Sequence, residues 1–171
     1  ADHVHRSASN DGGRTWTAPV ATTLPNNNSS IQVTRLVSGR LAIVFNHISA
    51  AQATERRVSL YDEIEDEGAD DAPAYAAAPA RARTAFWGTP RAPMTVALSD
   101  DEGLSWPHRR DIETGDGYCM TNNSADRRNR ELSYPSIVQT ADGQLHSAYT
   151  HHRQRIRHVS FSEAWVMETA R

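Results

Sequence analysis

The sequence contains no lysine; all 18 basic residues are arginine. Cysteine occurs once, at Cys119, which excludes an intramolecular disulfide framework and a multi-cysteine zinc site. Aromatic residues make up 7% of the chain and mean hydropathy is −0.64, so an oversized apolar interior is not expected. Apolar runs are short, and none approaches the roughly 18 residues of a membrane-spanning helix. Excess positive charge is lacking as well. A formal charge of −3 provides no basic footprint, so neither nucleic acid nor a membrane is an expected partner. The first residues, Ala-Asp-His-Val-His, show neither an initiator Met nor the layout of a signal peptide, which reads as a mature, trimmed or excised chain. What remains, 171 residues, has the length of one ordinary domain.

Where the chain reads as ordered, short β-branched runs dominate. Ile31–Leu36 alternates at period two, Val37–Arg40 breaks the pattern, and Leu41–Phe45 is almost continuously apolar. That is a half-buried strand, a tight turn and a more deeply buried strand. Ser136–Gln139 leads through Thr140-Ala141-Asp142-Gly143 into Leu145–Tyr149, and Asp-Gly between such runs is a strong hairpin signal. A further strand is expected over Ile156–Phe161. No amphipathic helix of three turns is visible in these parts.

Two internal matches outweigh the local propensities. Ser9-Asn10-Asp11-Gly12-Gly13-Arg14-Thr15-Trp16 recurs as Ser99-Asp100-Asp101-Glu102-Gly103-Leu104-Ser105-Trp106, 90 residues later. The hairpin at Gly39 recurs at Gly143, 104 residues later, bringing Leu41 onto Leu145, Phe45 onto Tyr149 and His47 onto His151. Repetition of a β-hairpin unit points to a solenoid or propeller rather than one closed sandwich. Both octapeptides fit Ser-x-Asp-x-Gly-x-Thr/Ser-Trp. Asp accepts hydrogen bonds from the N–H groups of its own turn, Gly permits positive φ, and Thr or Ser resumes the strand. Trp is expected to pack as an apolar plate against its own blade.

These octapeptides resemble the Asp-boxes of sialidase-like β-propellers, which are turn-forming elements and not catalytic carboxylates. Leu24–Ile31, Ala92–Ser99, Glu131–Ile137, Ala148–Thr150 and His152–Val159 are similar to the C-terminal portion of the predicted-neuraminidase (BNR repeat) branch of that superfamily. The resemblance implies an all-β fold of the six-bladed propeller type, of which this chain would supply about two to three blades. It divides the chain into 1–19 closing one blade, 24–106 forming a second with an insertion over 49–90, and 111–171 forming an incomplete last one. The remaining blades would come from a longer parent chain or another subunit.

The resemblance also implies an exo-acting glycoside hydrolase for acidic sugars, in which a Tyr nucleophile is made more basic by a Glu and arginines clamp the substrate carboxylate. A phenol is a poor nucleophile unless a neighbouring base takes its proton, and a guanidinium fork suits a carboxylate. The candidates are Tyr134 as nucleophile with Glu131 beside it. Arg91, Arg130, Arg155, Asn28, His47 and His151 are the candidate substrate contacts. No cofactor and no metal are expected: His3 and His5 are too few ligands for zinc, and His146, His151, His152 and His158 lack acidic partners at telling spacing. The acidic run Glu63–Asp71 and the Ala/Pro tract Ala72–Ala82 read as a solvated loop or a lid, with a short helix possible in Val58–Glu65. Phe86-Trp87-Gly88 would anchor it or wall a ligand. Asn122-Asn123-Ser124 has the form of a glycosylation sequon, and Cys119 reads as a buried structural thiol. A noncatalytic carbohydrate-binding or scaffold propeller is the alternative, and a propeller polysaccharide lyase a third. The resemblance points only weakly to secretion.

Overall fold

A computed structural model describes residues 2–53, 89–115 and 131–168. Arg130, Cys119, the acidic and Ala/Pro tracts, Phe86-Trp87-Gly88 and the sequon at Asn122 lie outside the described residues.

The fold is all-β, with three antiparallel sheets that fit a propeller type of architecture. The first sheet pairs β1 (His3–Arg6) with β2 (Val20–Pro25). The second is a four-stranded meander of β3 (Gln32–Arg35), β4 (Leu41–Asn46), β5 (Met94–Ser99) and β6 (His108–Glu113). The third holds β7 (Leu132–Gln139), β8 (Leu145–His151) and β9 (Arg155–Phe161). The strand patterns of the sequence are found where expected. The continuous apolar run of β4 is buried on both faces apart from partly buried Leu41, because sheets cover both of its sides. A short helix, α1 (Glu163–Met167), follows β9; the Ser162 hydroxyl caps it by accepting the Trp165 N–H at 3.1 Å. Its five residues are too few for periodicity to signal, and the helix was not expected.

The internal matches reappear as equivalent pairing. Arg6 faces Val20 and His5 faces Ala21, as Val96 faces Arg110 and Thr95 faces Asp111 ninety residues on. Each hairpin also shifts register at the end far from its Asp-box. Likewise Arg35 faces Leu41 as Gln139 faces Leu145. Thus β1–β2 is the counterpart of β5–β6, and β7–β8 that of β3–β4. The pairing places His108–Glu113 as the fourth strand of the second sheet and Val20–Pro25 as the last strand of the first.

Two cores join the sheets. Between the second and third, Leu36, Val44, Met94, Val96 and Leu98 meet Leu132, Ile137, Leu145, Tyr149 and Phe161. Between the first and second, Val4 and Leu24 meet Ile43, Phe45, Ala97 and Trp106. Side-chain amides stitch the innermost strands of the larger interface: the Ile137 N–H donates to Gln32 at 2.8 Å and the Val37 N–H donates to Gln139 at 2.8 Å. Alternating strand direction gives the molecule two distinct ends. The Asp-boxes and the tight turns at Gly39 and Gly143 occupy one. The starts of β3, β5, β7 and β9 and the finishes of β4, β6 and β8 occupy the other.

Candidate functional site

The second end gathers most of the sequence-level candidates. Glu131 is 1% exposed, the entry residue to β7, and forms a bridge with Arg91 just ahead of β5. The backbone ties these segments together: the Leu132 N–H donates to the Arg91 carbonyl at 2.8 Å, and the His152 N–H donates to that of Glu131 at 2.7 Å. Glu131 Oε1 accepts from Arg153 Nε at 3.0 Å, Ser133 Oγ at 3.2 Å and Arg91 Nη1 at 3.4 Å. A buried carboxylate is stable only with such partners, and removing them would leave a costly isolated charge. One buried anion therefore holds two guanidinium groups in place at the strand ends.

Tyr134 sits three residues further on, where β7 bulges between Ser133 and Ser136. Its φ is +53°, a left-handed conformation that a bulky residue rarely adopts. The bulge turns the side chain outward, leaving Tyr134 67% exposed with the Arg91 guanidinium 5.6 Å from its ring centre. His152 and Arg153, at φ +50° and +55°, and Asn28, at φ +64°, adopt the same unusual conformation at this end. Such outliers collect where surrounding structure over-determines the backbone, often at functional sites.

The loop before β3 leans on the same place. Asn27 donates from Nδ2 to the Pro90 carbonyl at 2.8 Å, so exposed Asn28 lies next to the approach to Arg91. Ser29 Oγ hydrogen-bonds Asn27 Oδ1 and donates to Asn46 Oδ1 at 2.6 Å. Fully buried Asn46 in turn donates to the carbonyl of Leu132 at 3.0 Å. Asn46 therefore links the Asn27 loop, β4 and the segment leading to Tyr134. Sequence reasoning passed over it, although a polar residue ending the apolar run Leu41–Phe45 was a usable signal. Arg153 was also passed over as a contact in favour of Arg155. Its signal was its place in the turn directly after His151-His152.

The other candidates stand apart. Arg155 opens β9 opposite His151 and is exposed. His151 lies 3.7 Å from Glu113, which also meets Arg157 at 3.3 Å. Burial, with Arg155 and Arg157 nearby, lowers the His151 pKa despite Glu113, so the imidazole is neutral at neutral pH. His152 is lowered in the same way, first by burial and then by His151. Burial and Glu113 push the Tyr149 phenol up to about 12, which leaves it protonated and unsuited to attack. His47 is half-buried beside Phe45 on the face toward the first sheet, and burial, then Arg109, lowers its pKa. Of the remaining histidines, His5 Nδ1 lies 3.0 Å from the His3 carbonyl, and His146 Nδ1 lies 3.0 Å from His158 Nε2. Among the described residues no three His, Cys, Asp or Glu side chains are grouped to hold a metal ion.

Asp11 and Asp101 take the turn-forming part expected of them, at the opposite end. Asp11 accepts from the Arg14 and Thr15 N–H groups at 2.9 Å each and from Thr15 Oγ1 at 2.6 Å. Asp101 accepts from the Ser105 N–H at 2.8 Å and Ser105 Oγ at 2.6 Å. These bonds, led by the Thr15 or Ser105 hydroxyl, hold both carboxyls down at about 2.

No curated protein matches the chain. A family model described as a BNR repeat-like domain matches residues 1–147, a span that contains both Asp-boxes, the first two sheets and the Glu131–Tyr134 segment. With that match over most of its length, on top of paired boxes of equal geometry and repeated strand register, the chain belongs to the BNR repeat-like domain family.

Proposed function

We propose that this domain belongs to a sialidase-like exo-glycoside hydrolase acting on acidic sugars, with its sugar-binding face at the Glu131 end. The observation that carries the reading is the exposed phenol of Tyr134 beside a guanidinium, Arg91, that a buried carboxylate fixes in place. In the proposal Arg91 and Arg153 receive the substrate carboxylate, since planar guanidinium forks match it in shape and charge. Asn28 presents an amide to sugar hydroxyls. Tyr134 attacks the anomeric carbon as the glycosidic bond breaks, and the phenol proton passes through solvent to the aglycone oxygen, which leaves as an alcohol. Water then cleaves the glycosyl-tyrosine bond, releasing the free sugar and restoring the phenol. Glu131, shared between two arginines and Ser133, acts as a positioning residue for the arginines rather than as the base first expected of it.

The same engagement of Glu131 favours a second reading, carbohydrate binding without turnover, because a carboxylate held by two cations is a weak proton acceptor. The protein with Tyr134→Phe, assayed on a fluorogenic α-sialoside alongside calorimetry with free sialic acid, separates the two. The hydrolase reading expects kcat to fall on the order of a thousandfold or more with binding retained. Retained turnover would remove Tyr134 as nucleophile. Binding by the unsubstituted protein with no turnover would establish the second reading, and an unsaturated, ultraviolet-absorbing product from a uronic-acid polymer would indicate lyase chemistry.

A further inference from the structure

Asn46 closes β4 and is fully buried, although strand pairing does not itself call for an amide there. The equivalent place in the third sheet, next to Tyr149 as Asn46 is next to Phe45, holds partly buried Thr150, and the same hairpin forms. The amide answers instead to its neighbours. By the alternation of β4, Asn46 points to the same side as Val44, toward the third sheet. Its Nδ2 donates to the Leu132 carbonyl at 3.0 Å and to the Pro93 carbonyl at 3.4 Å, and its Oδ1 accepts from Ser29 Oγ at 2.6 Å. Both amide protons and the carbonyl oxygen are thus engaged, by three segments distant in sequence. A buried amide gains modestly from each bond but loses heavily when a partner is taken away, so these segments are held in one relative placement.

Two of the three carry the groups that face outward at this end. Leu132 stands two residues before Tyr134, at the entrance to the bulge, and its N–H donates to the Arg91 carbonyl at 2.8 Å. Both backbone polar groups of Leu132 are therefore fixed, just before the chain enters the left-handed conformation of Tyr134. In the other segment Ser29 meets Asn27 Oδ1 through both its N–H and its hydroxyl, and Asn28 lies between them at φ +64°. We infer that Asn46 is a positioning residue: its amide fixes the phenol of Tyr134 and the amide of Asn28 relative to each other, so that one sugar meets both. The inference rests on the proposed reading of Tyr134 and Asn28 as sugar contacts, and Asn46 itself touches no substrate.

Fluorine NMR of protein labelled with fluorotyrosine is the test, the Tyr134 signal being assigned by its loss in Tyr134→Phe. Asn46→Thr installs the residue of the equivalent place and should fold. Its Tyr134 signal should be displaced, while the Trp106 signal of fluorotryptophan-labelled protein, in the other core, stays in place. Asn46→Asp keeps the size but, as a carboxylate, offers no proton to the two carbonyls. Its Tyr134 signal should be displaced in mildly alkaline buffer and return as pH falls and the carboxyl regains a proton, with the unsubstituted protein as control at each pH. On a fluorogenic α-sialoside, kcat of Asn46→Thr should fall about tenfold to a hundredfold, as small misplacements of reacting groups cause. Turnover by the unsubstituted protein tests the hydrolase reading, and the fluorine signals test Asn46 with or without turnover. A Tyr134 signal unmoved in both variants, or moved together with that of Trp106, overturns the inference. So does loss of the folded state in both.

Discussion

The two Asp-box turns are built from the same bonds and set in different surroundings. In each, a serine hydroxyl accepts the N–H of a glycine four residues on at 2.8 Å and donates to the aspartate at 2.8 Å. In each, that glycine is left-handed, Gly13 at φ +86° and Gly103 at φ +80°. Yet Trp106 is 6% exposed and packs in the core between the first and second sheets, while Trp16 is 64% exposed and donates from Nε1 to the Gly13 carbonyl at 3.0 Å. Trp106 meets the expectation of an apolar plate because Val4 and Leu24 lie against it. Trp16 does not: among the described residues its sheet has two strands, and its ring borders an open groove. The turn is thus a self-sufficient local device, and the burial of its tryptophan depends on the neighbouring sheet.

The largest expected effect breaks this comparison at the tryptophans. Trp106→Ala should cost about 3–5 kcal/mol in chemical denaturation, as loss of a buried aromatic does. Trp16→Ala should cost about 1 kcal/mol or less, as substitutions at exposed positions do. Equal losses would mean that Trp16 is covered in solution.

A smaller effect tests what the turns share. Asp11→Ala and Asp101→Ala should each lower Tm, with Asp101→Ala the more damaging because its turn also carries contacts to Arg6 and Arg35. Acid should act on both boxes alike. Their folded carboxyls titrate at about 2 against an ordinary value of 3.8, so their contribution is fully present above about pH 4 and disappears as pH falls through 2. Carboxyl titrations followed by NMR should place both near 2, and a value near 4 for either would show that its turn is open.

The smallest effect concerns the residue before the glycine. It is Gly12 at φ +72° in one box and Glu102 at φ +60° in the other. Glu102 tolerates this conformation while bonded to Arg35 at 2.6 and 3.0 Å, a pair exposed to solvent. Glu102→Gly relieves the backbone and loses the pair, so Tm should barely change, and the part of its salt dependence due to Arg35 should vanish. A large fall would show that the ion pair holds the turn.

Much of the fold was legible because its signals are local. Period-two alternation placed β3, the continuous apolar run placed β4, Asp-Gly marked the β7–β8 hairpin, and the octapeptides named their own turns. The site was legible in part. Tyr134, Glu131 and Arg91 were chosen as residue types and do lie together, whereas the turn after His151-His152 marked a position without announcing the exchange of Arg155 for Arg153. That exchange depends on the left-handed turn at His152-Arg153, which sends Arg153 back to Glu131 while the strand carries Arg155 away. Asn46 was marked locally as a polar residue ending an apolar run, but its partners, like those of Glu113, lie far away in sequence, and no local pattern encodes them. Local chemistry announces turns and strands, whereas a site assembled at strand ends is fixed only once the sheets have docked.

The separation of the two ends has a practical consequence. The turns at Val37–Arg40 and Ala141–Gln144 lie with the Asp-boxes, across the length of the strands from Tyr134. With Cys119 replaced by serine, a cysteine introduced there for coupling to a sensor chip or bead would present the Glu131 end to solution. The absence of lysine sharpens this, because amine-reactive coupling finds no side chain to modify and attachment could be confined to the chosen turn. The molecule can therefore be mounted in a single orientation, with the Glu131 end outermost.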